Sequence, residues 1–191
     1  MRAQEALPSE YQAAVYKMLL GHGGEAEFES ILALHNKLES DDEKKQCMLG
    51  LGAAPTEELR TRALEFAMDT DKNVKLQDFF YVALSTAGAG LAAQTTCWNF
   101  FTANFARYQA KDMGASLMDA VVQGACAHFA STETAAAVEG FFAEHPLPRN
   151  TRKIEQILEG VATKAKALEA LEGSDALAWL EAAAAAAQAA A

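Results

Sequence analysis

Four histidines and three cysteines are the side chains of this sequence best suited to hold a metal ion. A zinc site needs three or four ligands converging on one point. His22, His35, His128 and His145 stand far apart, and none opens a His-Glu-x-x-His run. Cys126-x-His128 is the one close pair, and on a helix residues two apart point to different faces. A buried thiol beside an ordinary histidine is the reading it supports. In "STAGAGLAA", Gly88-x-Gly90-x-x-Ala93 is a variant of the dinucleotide-binding fingerprint, and the preceding "FFYVALS" could pass for a strand. That chemistry also needs further strands and an acidic residue at a strand end about 20 positions on. The pattern after Gly90 is helical, which favours a Gly-rich turn between helices. There is no Gly-x-Ser-x-Gly elbow and no phosphate-binding loop ending in Lys-Ser or Lys-Thr. Glu57-Glu58 and Asp41-Asp42-Glu43 stand at helix starts, where capping and the helix dipole account for them. The expectation is a chain with no active site, no metal and no cofactor of its own.

One further run could bind something. "CWNFFTANFARY", Cys97 to Tyr108, carries Trp98, Phe100, Phe101, Phe105 and Tyr108. A stacking platform for single-stranded nucleic acid would need interleaved basic residues, and only Arg107 and Lys111 are near. On a helix, Trp98, Phe101, Phe105 and Tyr108 fall within an arc of about 80°, with Leu91 joining upstream and Phe100 pointing roughly the other way. That is a core helix sandwiched between neighbours. Trp98, Phe101 and Phe105 are the expected core markers, and Trp98→Ala is expected to cost about 3–5 kcal/mol.

The elements that must position these residues are helices. Ala, Leu, Glu, Met and Gln are plentiful and Pro is scarce, and apolar residues recur at helical spacing almost throughout. Pro8-Ser9 leads into a helix with Tyr11, Val15, Met18 and Leu19, stopped by Gly21 to Gly24. Ser40 to Glu43, Pro55 to Glu58 and Ser131 to Thr134 are N-terminal caps of later helices. A helix is expected around Val74 to Ser85, another from near Lys111 to about Phe129, and a long one over Asn150 to Glu172. About ten helices with short loops predict an all-α fold, an irregular HEAT- or armadillo-like solenoid of helical hairpins. Residues 1–9 read as an N-terminal tail, 10–181 as one solenoid domain, and 182–191 as an Ala-rich tail.

Composition narrows the partners. The 191 residues carry a formal charge of -10, without a basic arm, which argues against a nucleic-acid partner. No apolar stretch approaches the length of a membrane span, and the first residues lack a signal-peptide apolar region. Three widely spaced cysteines suit a reducing compartment rather than a disulfide framework. The expectation is a cytoplasmic protein with no membrane partner.

Six segments, in order, resemble the C-terminal helical domain of M1-family aminopeptidases of the puromycin-sensitive and endoplasmic-reticulum type. "LGAAPTEELRTRALEFAMD", Leu51 to Asp69, is similar to the family's Leu-Gly, Pro-started helix. "VKLQDFFYV" has Gln77 and Asp78 in place and Lys75 where Arg is usual. "CWNFFTANFARY" matches at Trp98, Phe100 and Asn104, with Phe105 where Trp is common. "FASTETAAAVEGFFAEHPLP", "RKIEQILEGV" and "ALAWLEA" resemble the later segments. The chain departs from the pattern at "ATKAKAL", where Asn and Trp are usual. It also has neither the Gly-Ala-Met-Glu-Asn motif nor the zinc-binding His-Glu-x-x-His of the catalytic domain.

The resemblance implies a bowl-shaped solenoid that closes over a zinc-bearing domain, bounds the peptide cavity and helps select substrates. Zinc would belong to that other domain. It also places Lys111 and Asp112 toward the substrate entrance, with Met113-Gly114 standing for the family's Leu-Gly at a helix start. The partner would be a peptide or an M1 catalytic domain. Alternatively, the chain is a stand-alone scaffold subunit of a larger assembly.

Overall fold

In a computed structural model, residues 7–189 are described, and their regular structure is entirely helical. They fall into two compact units, up to His128 and from Phe129 onward.

The first unit holds α1 (Ser9–His22), α2 (Glu25–Lys37), α3 (Asp41–Leu51), α4 (Glu57–Met68), α5 (Phe80–Ala87), α6 (Leu91–Ala103), α7 (Phe105–Ala110) and α8 (Ala115–Cys126). Alternate helices stack. One row runs α1, α3, α5, α8, and α4 packs on α6 in a second row, while successive helices join the rows. The rows meet over Leu20, Phe28, Ile31, Leu51, Leu64, Val82, Phe101 and Val122, all 2 % exposed or less. Arg62 draws α2 to α4 by pairing with Glu25 and Glu29 while its guanidinium lies over Phe28.

The starts of α3, α4 and α9 are set by the caps that the sequence announces. Ser40 accepts from the Glu43 N–H, Thr56 from the Leu59 N–H, and Ser131 from the Thr134 N–H. Each satisfies an otherwise orphaned first-turn donor. Two glycines allow close helix crossings. A Cβ on Gly50 would lie 2.5 Å from Tyr16 Cβ of α1, and one on Gly52 would lie 2.4 Å from Ser85 Cβ of α5.

The second unit holds α9 (Thr132–Glu144), α10 (Thr151–Glu172) and α11 (Ala176–Ala189). α10 packs on α9, where Val138, Phe142, Ile157, Val161 and Ala165 are buried, and only adjoins α11, whose described side chains all stay out of the core.

Several expectations are corrected. The aromatic helix is not continuous: it breaks at Asn104 (φ -108°, ψ 14°), whose side-chain amide donates to Phe100 O at 2.9 Å. Leu91 is 80 % exposed, because it stands at the first residue of α6, beyond the neighbouring helices. Trp98 is only half-buried, whereas Phe101, Phe105 and Phe100 are buried. Residues 75–79 form turns ahead of α5 rather than its first half, and α8 starts at Ala115 rather than at Lys111. On α1 the apolar residues Tyr11, Val15, Met18 and Leu19 are exposed, and Gln12 and Leu20 face in. An apolar pattern on two sides of one helix does not tell which side is covered.

Candidate functional site

The expected site residues stand in the turn between α7 and α8. Three aromatic neighbours lead to it. Phe101 of α6 packs edge-on to Phe105 at 5.5 Å between ring centres and tilted to Tyr108 at 5.4 Å, and Tyr108 meets Phe79 at 6.1 Å. Trp98 contacts Phe101 at 5.9 Å from the edge of the cluster. Burial and the neighbouring Cys97 push the Tyr108 hydroxyl far above its usual pKa, so it stays neutral.

Lys111 is anchored on this cluster. Its ammonium lies 5.8 Å from the Phe79 ring centre and donates to Met68 O and Thr70 Oγ1, each at 2.9 Å. Met68 ends α4, so Lys111 supplies both a donor and a positive charge to a helix C-terminus that needs them. The lysine therefore fastens the α7–α8 turn to the α4–α5 connection. Asp112 is exposed beside it. It does not cap α8, whose N-cap is Gly114. Met113 is half-buried and Gly114 exposed in the same turn.

Around this turn the surface is hollowed in three adjoining places. One hollow of about 590 Å³ runs between Arg62, Glu65, Asn73 and Arg107. A second, about 500 Å³, shares Arg107 and is bounded by Thr70, Asp71, Leu76, Lys111 and Asp112. A third, about 490 Å³, shares Leu76 and Asp112 and continues to Gln77 and Leu117. All three are open and shallow. Arg107 is held in place by Glu65, at 2.8 and 3.0 Å, and by Asn104 Oδ1 at 2.7 Å. The rim thus presents charges of both signs, from Arg62, Glu65, Arg107 and Asp112, with the exposed Gln77 beside them.

Two supporting residues escaped the sequence reading. Arg60 is 8 % exposed. Its guanidinium donates to Ala54 O, Pro55 O and Thr96 Oγ1 at 3.0–3.2 Å, tying the α3–α4 turn to α6. Asp78, 6 % exposed, faces Lys45 of α3 at 3.8 Å, and Lys45 also lies over Tyr81. The Gln-Asp pair at 77–78 thus divides its duties: Asp78 fastens the connection inward, and Gln77 is left on the rim.

The other chemical candidates come apart. Gly88 ends α5 and Gly90, at φ 123°, precedes α6, so the fingerprint variant is a turn between helices, with Gly90 in backbone space open to glycine. Cys126 turns inward and donates to Val122 O at 3.2 Å, while His128 is exposed. Among the described residues no three His, Cys, Asp or Glu side chains gather as metal ligands would. Among them, too, no helix is long and apolar enough to cross a membrane.

Comparison with known proteins agrees with the motif order. The chain is 26% identical over 180 residues to Aminopeptidase M1-B of Oryza sativa subsp. japonica, covering 93% of this chain and 20% of that protein. It is 26% identical over 151 residues to Aminopeptidase M1-C of the same plant, covering 79% and 17%. To Aminopeptidase M1 of Arabidopsis thaliana it is 24% identical over 178 residues, covering 91% and 20%. The chain therefore spans about a fifth of the length of these relatives. Residues 1–163 match the ERAP1-like C-terminal domain, and the chain belongs to that family.

Proposed function

We propose that this chain is a non-catalytic helical domain that works beside an M1 aminopeptidase catalytic domain, as a wall of its peptide cavity. The observation that carries this reading is the family match over residues 1–163 combined with the hollowed rim at Lys111 and Asp112. The stacked hairpins of the first unit suit a solenoid wall. Zinc chemistry would then reside in the catalytic domain, and this chain would contribute shape and charge. Three buried thiols fit a reducing, cytoplasmic setting.

The test has two arms. The isolated chain should show no turnover of an aminoacyl 4-nitroanilide, with or without added zinc; hydrolysis by the pure chain would overturn the reading. Exchanging the matched region of rice Aminopeptidase M1-B for this chain should keep activity. In that chimera Asp112→Lys should change KM for longer peptides by about threefold or more, an energy of well under 1.4 kcal/mol at threefold, and leave the short amide unaffected. Equal effects on both substrates would remove Asp112 from the cavity.

A second reading, a scaffold subunit of a larger assembly, is favoured by one observation. The outer face of α1 is apolar and exposed.

A further inference from the structure

The bases that line the three hollows beside the α7–α8 turn are all engaged. Arg62 pairs with Glu25 and Glu29, Arg107 with Glu65, and Lys75 with Asp41. Lys111 is committed to Met68 O and Thr70 Oγ1. The acids are not matched in this way. Asp71 and Asp112 are exposed on the second hollow, and neither carboxylate makes an ion pair or hydrogen bond among the described residues. Lys72, the remaining base of the α4–α5 connection, lines none of the three hollows. The four lining bases are matched in number by Glu25, Glu29, Glu65 and Asp41, so Asp69, Asp71 and Asp112 are left over as formal negative charges.

An apolar lining adjoins this charge. The half-buried Leu76, Met113 and Leu117 line the same hollow as Asp112. A side chain with a long apolar stem and a cationic head has the two parts that suit such a surface. A glutamate would meet like charge there, and an apolar side chain would leave the carboxylates unmatched. The carboxylates are also held together in advance. Lys111 fastens the turn that carries Asp112 to the connection that carries Asp71, so less ordering is left for the ligand to impose. We propose that the rim selects peptides that carry a lysine or arginine side chain, with Asp71 and Asp112 receiving the cation and Leu76, Met113 and Leu117 its stem. The proposal rests on the reading of the rim as part of a peptide cavity, and it names the class of peptide. Ion pairs on an exposed rim are modest and screened by salt, so the preference should be a few-fold and should fall as salt is added.

The probes are a pair of Gly-Ser peptides, alike except for interior lysines in one and glutamates in the other. Each is titrated into the isotopically labelled full chain, and amide chemical shifts are followed residue by residue. A chain of charge -10 attracts bases in general, so the place of the response matters. The lysine peptide should move amides over residues 69–77 and 107–117, and should bind about threefold or more tighter than the glutamate peptide. Asp71→Asn combined with Asp112→Asn should abolish that preference. Equal shifts from both peptides at the rim would overturn the cationic class and leave the cavity reading standing. Absence of rim shifts with either peptide would overturn both. Lysine-peptide shifts as large around the exposed Glu169 and Glu172 of α10 would assign the binding to general attraction and overturn the proposal. In the chimera with rice Aminopeptidase M1-B the lysine peptide should have the lower KM, and the paired substitutions should remove the difference while the short amide does not respond. No difference there would show that the rim does not meet substrate in the assembled enzyme, and would overturn the proposal.

Discussion

His35 is 2 % exposed, edge-on to Phe66 with ring centres 5.0 Å apart. Burial holds its pKa below the ordinary imidazole value; the Asn36 hydrogen bond opposes this and Lys44 reinforces it. A base with a depressed folded pKa takes up its proton more readily in the unfolded chain. Its neutral form therefore supports the fold fully above the unfolded value, near pH 6.5, and that support is lost as pH falls from there toward the folded value. Urea unfolding at pH 7.5 and 5.5 should show the native protein losing stability on acidification. His35→Leu should lose distinctly less; an equal loss would assign the slope to other groups. The thiols give a second test. Burial pushes Cys47 up to about 11 and Cys97 and Cys126 up to about 12, so the nucleophilic thiolate is scarce at neutral pH. The folded protein should resist Ellman's reagent, and all three cysteines should react once guanidinium unfolds it. Fast reaction in native buffer would show that one is accessible. At Trp98 the expected cost of truncation falls, because the ring is only half-buried. Phe101, 1 % exposed at the centre of the cluster, is where Phe→Ala should cost about 3–5 kcal/mol.

At the scale of elements, helix crossings decide which local preferences win. Ala is a better helix former than Gly by about 1 kcal/mol, so an isolated α3 would gain from Gly50→Ala. In the fold the new methyl would stand 2.5 Å from Tyr16 Cβ, an atom near the backbone that moves only with α1. Overpacking of this kind costs about 1–3 kcal/mol, so the variant should be destabilised in chemical denaturation. A stabilised variant would show that α1 can slide. Such crossings also set the limit of what the sequence discloses. Helix existence and the caps at Ser40, Thr56 and Ser131 are local matters of periodicity and side-chain reach, and they are legible. The tie from Lys111 to Met68 and Thr70 joins residues more than 40 positions apart, and no spacing announces it. Nor does any spacing announce the tie from Arg60 to Thr96, 36 positions on. Motif order locates the Lys111–Asp112 turn, but the structure separates the two: the lysine is a fastening and the aspartate stands on the rim. Lys111→Met should accordingly loosen the α4–α5 connection, seen as faster amide exchange over residues 69–79. Asp112→Asn should leave that exchange unchanged.

Across the whole molecule, buried apolar side chains are unevenly shared. The first unit carries most of them, from Leu20 to Cys126, and the second rests on a short set between Phe129 and Ala165. None of the described side chains of α11 is buried, and Trp179 is 69 % exposed. A 14-residue helix that buries none of its described side chains is marginal in water even when rich in alanine. Opening energies within one protein range from near zero at such ends to the global value in the core. Amide exchange followed by mass spectrometry should therefore be fast in α11, intermediate in α9 and α10, and slowest in α3, α5 and α8. Ending the chain after Asp175 should lower the melting temperature by less than about 2 °C, because little packing is lost. Protection of α11 equal to that of α3 would mean that this alanine helix is held by a contact other than those described. In that case the apolar side chains of Trp179 and Leu180, exposed here, would be the first place to look for that contact.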